Sequence, residues 1–223
     1  MARRFAYTLV CAVLALLIAA VAPIGAGAAF AQQLPKYQVT GFRGALFGMT
    51  EDEVRQVARE AFGVDDGRMM LASDPAAGAT KLIVHVRELE PGLGVGRVEY
   101  LFGHRQHRLF QVNVVWGLDS NPQLDNSEML AAAMRLQGYF LGFDWAYGRV
   151  QIGVPLDERA VRLFGAVDRD SGAVTVLVEN VRYGLLGGNV RLVPEVSVPT
   201  IVIVTYMDQA RAGDMRTLSQ REF

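Results

Sequence analysis

Cysteine occurs once in the 223 residues, at Cys11, and histidine only three times. Basic and acidic side chains nearly cancel, 22 against 23. The concentrated basic face of a nucleic-acid binder is therefore missing, and nucleic acid is not expected as a partner. Lysine is scarce: beyond residue 31 only Lys36 and Lys81 accompany 18 arginines, a ratio that coding bias explains without any function. Long hydrophobic runs are missing too, apart from one near the N-terminus. The chain is still 51% apolar and 20% charged, which excludes a disordered tail or a collagen-like fibre.

The one long apolar run locates the lone cysteine. Arg3 and Arg4 precede it, Thr8 is the only polar residue between Phe5 and Ala22, and Pro23 and Gly25 break it. Ala29-Phe30-Ala31 then supplies a small-x-small triplet. Basic region, apolar region and A-x-A site stand in the order of a bacterial secretory signal peptide, so residues 1–31 are expected to be removed after Ala31, with a periplasmic destination. An uncleaved anchor is the competing reading, because about 18 apolar residues is near the lower limit for crossing a bilayer; after cleavage no stable span is expected. The leader holds two of the basic residues and none of the acidic ones. The mature chain has about 190 residues and is about 46% apolar, an ordinary globular share. With Cys11 gone, thiol catalysis, thiolate metal sites and cysteine-held clusters are excluded, and stability must come from core burial.

Beyond a polar lead-in, Thr50 and Glu53 form a capping box, with Glu51 and Asp52 in the first turn. Val54, Val57, Ala58, Ala61 and Phe62 recur at helical spacing until Gly63 stops the run. Strands are expected at 81–88, 96–102 and 108–116, joined by turns into an antiparallel meander. A second helix comes next, capped by Asn126 or Ser127, with Leu130, Ala133, Met134, Gln137 and Leu141 as its inner face. Further strands are expected at 143–152, 160–167, 173–182 and 198–206, with 184–194 as a loop. The fold class is α+β: two helix-then-antiparallel-sheet modules, 32–118 and 119–223, forming a pseudo-repeat of element order, because two helices are too few to serve seven strands in βαβ fashion.

The segment Phe42-Arg-Gly-Ala-Leu-Phe-Gly-Met-Thr-Glu-Asp-Glu-Val-Arg55 resembles the opening of small exported bacterial α+β modules. The SmpA/OmlA outer-membrane lipoproteins and the beta-lactamase-inhibitor-like proteins share that plan, and the chain is similar to exported Gram-negative proteins carrying F-G-M-T-E-x-x-V-R. The resemblance implies an envelope protein that works by contact with a protein partner, in assembly or inhibition, without catalysis. The lipid-bearing cysteine of the SmpA/OmlA group and the Leu-Gly-x-Pro after its helix are missing, Phe62-Gly-Val-Asp65 standing in the latter place. Lipid anchoring is not carried over.

The remaining candidates for chemistry have simpler readings. His104 and His107 fall in a turn and His85 on a neighbouring strand, a pattern that solvated histidines satisfy better than a zinc site. Asp168-Arg-Asp-Ser-Gly172 begins like a calcium loop but has its glycine one place early, so a hairpin turn is expected. Gly92-Leu-Gly-Val-Gly96 lacks a following helix, and no serine sits in a Gly-x-Ser-x-Gly elbow. No catalytic residue, metal ligand or cofactor is assigned. The most site-like feature is the aromatic concentration Trp116, Tyr139, Phe140, Phe143, Trp145 and Tyr147. Most of it is expected in the core, with Trp116, Tyr139, Trp145 and Tyr147 as candidate binding residues and Trp145 and Tyr147 as the exposed pair.

Overall fold

A computed structural model describes residues 34–74, 79–90, 93–117, 125–146, 148–186, 189–194 and 200–212. The expected leader with its cleavage point, Tyr147, and most of the connection between the two expected modules lie outside the described residues.

The described chain opens with a two-residue hairpin, β1 (Gly41–Phe42) and β2 (Ala45–Leu46). Arg43 at φ 45° and Gly44 at φ 91° supply the two left-handed positions that a tight hairpin turn requires. Helix α1 (Glu51–Phe62) then starts at the expected capping box: the Thr50 backbone N–H donates to the Glu53 carboxylate at 2.7 Å, and the Glu53 N–H to the Thr50 hydroxyl. Gly63, left-handed at φ 62°, closes it by donating to the Arg59 carbonyl. Val54 and Ala58 are the fully buried part of its apolar stripe.

A 3-10 turn (Asp66–Arg68) leads into β3 (Met69–Asp74), followed by β4 (Ala79–Val86), β5 (Gly96–Phe102) and β6 (Leu109–Trp116). Helix α2 (Asn126–Leu141) precedes β7 (Val150–Pro155), β8 (Ala160–Val167), β9 (Gly172–Glu179), β10 (Val181–Leu186), β11 (Asn189–Pro194) and β12 (Ile201–Asp208). Eight of these strands form one antiparallel sheet in the order β3-β4-β5-β6-β12-β9-β8-β7, while β10 and β11 pair as a separate hairpin. The protein is a mixed α+β fold with a large antiparallel sheet.

The pairings align one residue from every strand. Met69, Val84, Val98, Val114, Val204, Val176, Phe164 and Ile152 make a continuous apolar row across one face. Both helices cover that face, α1 against β4 and α2 against β8, β9 and β12, and one core cluster contains their buried side chains and the sheet's. On the opposite face the neighbouring row reads Met70, Ile83, Glu99, Asn113, Thr205, Thr175, Gly165 and Gln151, mostly polar. This period-two switch is what antiparallel strands with one buried face encode.

Four expectations need correction. The stretch 184–194, read as a loop because of its glycines, forms most of the β10–β11 hairpin; Asn180 at φ 59° takes the left-handed position that turns the chain out of the main sheet. Strand β3 was not foreseen. The described residues among 143–149 lie outside the named strands, Asp144 making only an isolated bridge to Lys36, and β7 begins at Val150. The cap of α2 is Asp125, whose carboxylate accepts the Ser127 N–H, while Asn126 turns away to accept the Thr200 N–H at 2.8 Å. Ala133 is buried as expected, but Met134 and Leu141 face solvent, and Met129, Ala132 and Phe140 are buried instead. A helix apolar around most of its circumference does not announce its inner face by periodicity. Gln137 does turn inward and donates to the Leu163 carbonyl at 2.7 Å.

Candidate functional site

Helix α1 packs on β4 and α2 on β8, β9 and β12, while the β1 strand of the N-terminal hairpin packs on β6 and β12. A cleft of about 410 Å³ opens there. Its floor is the cross-strand pair Val114 and Val204 with Trp116 and Tyr206, which alternate inward along β6 and β12. Arg135, Leu136 and Tyr139 of α2 form one wall; Phe42 and Arg43 of the hairpin and Leu89 and Glu90 after β4 form the other.

Arg43 is held in place: its Nη2 donates to the Leu89 carbonyl at 3.0 Å, and its guanidinium lies 5.9 Å from the centre of the Phe42 ring. Phe42 in turn stacks on Tyr206 at 5.3 Å. Burial pushes the Tyr206 hydroxyl above the ordinary phenol range, with Tyr37 and Tyr139 adding to it and the Arg43 charge partly offsetting it. Tyr206 and Tyr37 hydrogen-bond through their hydroxyls. A phenol so placed stays protonated and offers a hydrogen bond, not a base. The Trp116 Nε1 is buried without a hydrogen-bond partner. An apolar floor, two arginines, one carboxylate and two phenols can hold a ligand and orient it. The cleft lining contains no serine, cysteine or histidine to attack one.

Of the expected site residues, Trp116 and Tyr139 meet at this cleft although they come from different elements. Tyr139 is 57% exposed, its ring set edge-on against Phe140 and Phe143 at 5.1 Å each. Trp145, expected on the surface, is only 7% exposed; its Nε1 donates to the Phe140 carbonyl at 2.9 Å, and its ring packs on Tyr37 and Phe164. It belongs to the core because that carbonyl satisfies its only polar atom. Tyr147 lies outside the described residues. Arg43, Glu90, Arg135 and Tyr206 were not foreseen. The alternation of Val202, Val204 and Tyr206 marked a buried strand face, but nothing in the sequence placed β12 beside β6.

The helix-free face carries a second polar constellation. Glu99, buried on β5, pairs with Arg97 at 2.6 Å and Lys81 at 3.2 Å. Asn113 donates to Glu99 at 3.4 Å and accepts from Gln111 at 2.8 Å and the Thr205 hydroxyl at 3.1 Å, carrying the network across β6 to β12. Ile83, Val115, Ile203 and Leu177 flank it on the same face. Further along, the missing side chain of Gly165 leaves a polar hollow among Arg149, Gln151, Arg162 and Thr175.

His85 sits on this face opposite Arg97, and His104 and His107 lie in the β5–β6 turn. Among the described residues no three His, Cys, Asp or Glu side chains are grouped to hold a metal ion. The Asp168–Gly172 segment is a hairpin turn whose Asp168 carboxylate is occupied by backbone N–H groups of Val39, Asp170 and Gly172. No described helix is long and apolar enough to cross a membrane. Comparison with family models, curated proteins and solved structures returns no match for the chain.

Proposed function

We propose that the protein is an exported, periplasmic, non-catalytic binding or envelope-assembly factor that acts by protein contact through the helix-free face of its sheet. The observation that carries this reading is the buried Lys81–Glu99–Arg97 network set among Ile83, Val115, Ile203 and Leu177 on that face. Ile83 and Val115 are buried there while Ile203 and Leu177 are half-buried, so the apolar area offered beside the network is that of Ile203 and Leu177, and apolar area next to ordered polar groups is the make-up of a protein interface. The order of elements also supports the two-module plan: α1 with β3–β6 and α2 with β7, β8, β9 and β12 each form a helix followed by four sheet strands, joined through their last strands, β6 and β12. The test is an in-cell photocross-link from position 203 in an envelope preparation. A defined protein adduct that Thr175→Arg, at a half-buried position on the same face, weakens with the melting curve unchanged is expected; absence of any adduct from position 203 or 177 refutes the reading.

A second reading, a periplasmic carrier of a small ligand, is favoured by the cleft over β6 and β12. Its apolar floor with Arg43 and Arg135 at the rim suits an amphipathic molecule with an anionic group. Native mass spectrometry of the protein purified from the periplasm would show a bound mass that Leu136→Trp, which fills the cleft, removes.

A further inference from the structure

The cleft over β6 and β12 carries more unpaired polar groups than an apolar hollow needs. Arg135 of α2 stands exposed on one wall, and its guanidinium has no hydrogen bond or ion pair among the described residues. Arg43, on the other wall, commits its Nη2 to the Leu89 carbonyl and has no carboxylate partner among the described residues. On the floor, the Tyr206 hydroxyl is taken up by Tyr37, while the Nε1 of Trp116, a residue only 4% exposed, is buried with no partner. A buried donor left unpaired costs stability. Three side chains with donors to spare thus belong to the lining of one hollow of about 410 Å³, an ordinary volume for a small-ligand site.

Glu90 sets the charge that a ligand here can carry. Its half-buried side chain also lines the cleft and has no ion pair among the described residues. The lining therefore holds two cations against one anion, an excess of one positive charge. In that field a cation is repelled, a neutral molecule gains nothing from the charge, and a dianion meets Glu90. A single carboxylate matches the excess, and its two oxygens can accept charge-assisted hydrogen bonds from both guanidinium groups. Val114, Val204 and Leu136 offer apolar contact to the rest of the molecule. We infer that the cleft is the binding site of a singly charged amphipathic carboxylate, whose head is held by Arg43 and Arg135 and whose apolar body lies on Val114 and Val204. The inference rests on the carrier reading of the cleft and names its ligand class; the helix-free face plays no part in it.

Three probes with the same apolar chain separate the head charge from the body: decanoate, decanol and decylammonium, each titrated below its micelle concentration into the full chain by isothermal titration calorimetry at neutral pH. Decanoate is expected to bind saturably at one site, with decanol more than about fivefold weaker and decylammonium weaker still. Arg135→Gln, at an exposed helix position, is expected to weaken decanoate about fivefold, the worth of one exposed charge contact, and to leave decanol and the melting curve unchanged. Glu90→Gln is expected to tighten decanoate. Leu136→Trp, which fills the cleft, is expected to abolish binding of every probe. Decanoate and decanol binding equally, or decanoate insensitive to Arg135→Gln, overturns the inference, and the carrier reading survives that result if Leu136→Trp still removes the binding. Absence of saturable binding by all three probes overturns both.

Discussion

Asp168, just after β8, is a buried carboxylate held by three backbone N–H groups. It is 4% exposed; its Oδ2 accepts the Val39 N–H at 2.7 Å, and its Oδ1 accepts the N–H groups of Asp170 at 2.8 Å and Gly172 at 2.7 Å. One side chain thus ties the lead-in segment to the β8–β9 turn. Bonds to a charged acceptor contribute about 1.5–3 kcal/mol each. In Asp168→Ala the half-exposed Asp170 N–H finds water, but Val39 and Gly172 leave two buried donors, so the loss is about 4 kcal/mol. For a chain of this size that lowers the melting midpoint by roughly 8–16 °C. Asp168→Asn keeps shape and one acceptor: if its oxygen serves Asp170 and Gly172, its amide N–H confronts the Val39 N–H, and about half the loss is expected. Urea unfolding followed by circular dichroism measures both, and hydrogen exchange at Val39 should accelerate more than exchange in the central strands. An alanine variant within about 1 kcal/mol of wild type, or an asparagine variant equal to it, would refute the reasoning. Calcium should leave the midpoint unchanged, because the carboxylate is already occupied.

Thr50→Ala removes the α1 capping box and should cost about 1 kcal/mol in urea unfolding. The Thr50 N–H and hydroxyl hold the Glu53 carboxyl below the usual carboxylate range, so its contribution is complete above the unfolded value near pH 4.5 and disappears as the pH falls through the lower folded value; Glu53→Gln should flatten that part of the stability profile. Gly117 sits at φ 87°, and a Cβ there would run into the Thr200 carbonyl oxygen, so Gly117→Ala should destabilise by at least about 3 kcal/mol, visible as a lower urea midpoint. Trp116→Phe removes a buried N–H that has no partner, worth about 1–3 kcal/mol, against a similar loss of packing. Its net effect should stay within about 1 kcal/mol by thermal melt, and a larger loss would mean that the indole N–H is satisfied.

What was legible in the sequence was local. The Thr50–Glu53 box, the Gly63 stop, the meander strands and the Asp168–Gly172 turn all rest on residues within a few positions of each other, where capping and turn chemistry act. What was not legible depended on partners distant in the chain. Asn126 read as a cap but serves Thr200, 74 residues on, and the Asp125 carboxylate took over the N-terminal bond. Glycines in 184–194 resembled a loop because composition cannot distinguish a loop from a hairpin whose strands pair only with each other. Strand β3 carries a weak signal because its helix-side face is only partly covered: Met69 is buried, while Leu71 on the same face is 49% exposed, like Met70 on the other.

The two tryptophans show the same limit at the candidate site. Both belong to one aromatic concentration, and amphipathic rings are equally suited to a core or a surface. The decision came from a single acceptor. The Phe140 carbonyl, at the end of α2, takes the Trp145 N–H and lets that ring sink among Tyr37, Phe140 and Phe164. Trp116 has no such acceptor. It lies beneath Leu89 and against Gly96, where a Cβ would come within 2.9 Å of its Nε1, so the glycine is what admits the ring. A buried donor left unpaired costs stability in a core without purpose. Its place at the floor of the cleft, with Arg43 as a further donor at the wall, suits a hydrogen-bond acceptor there.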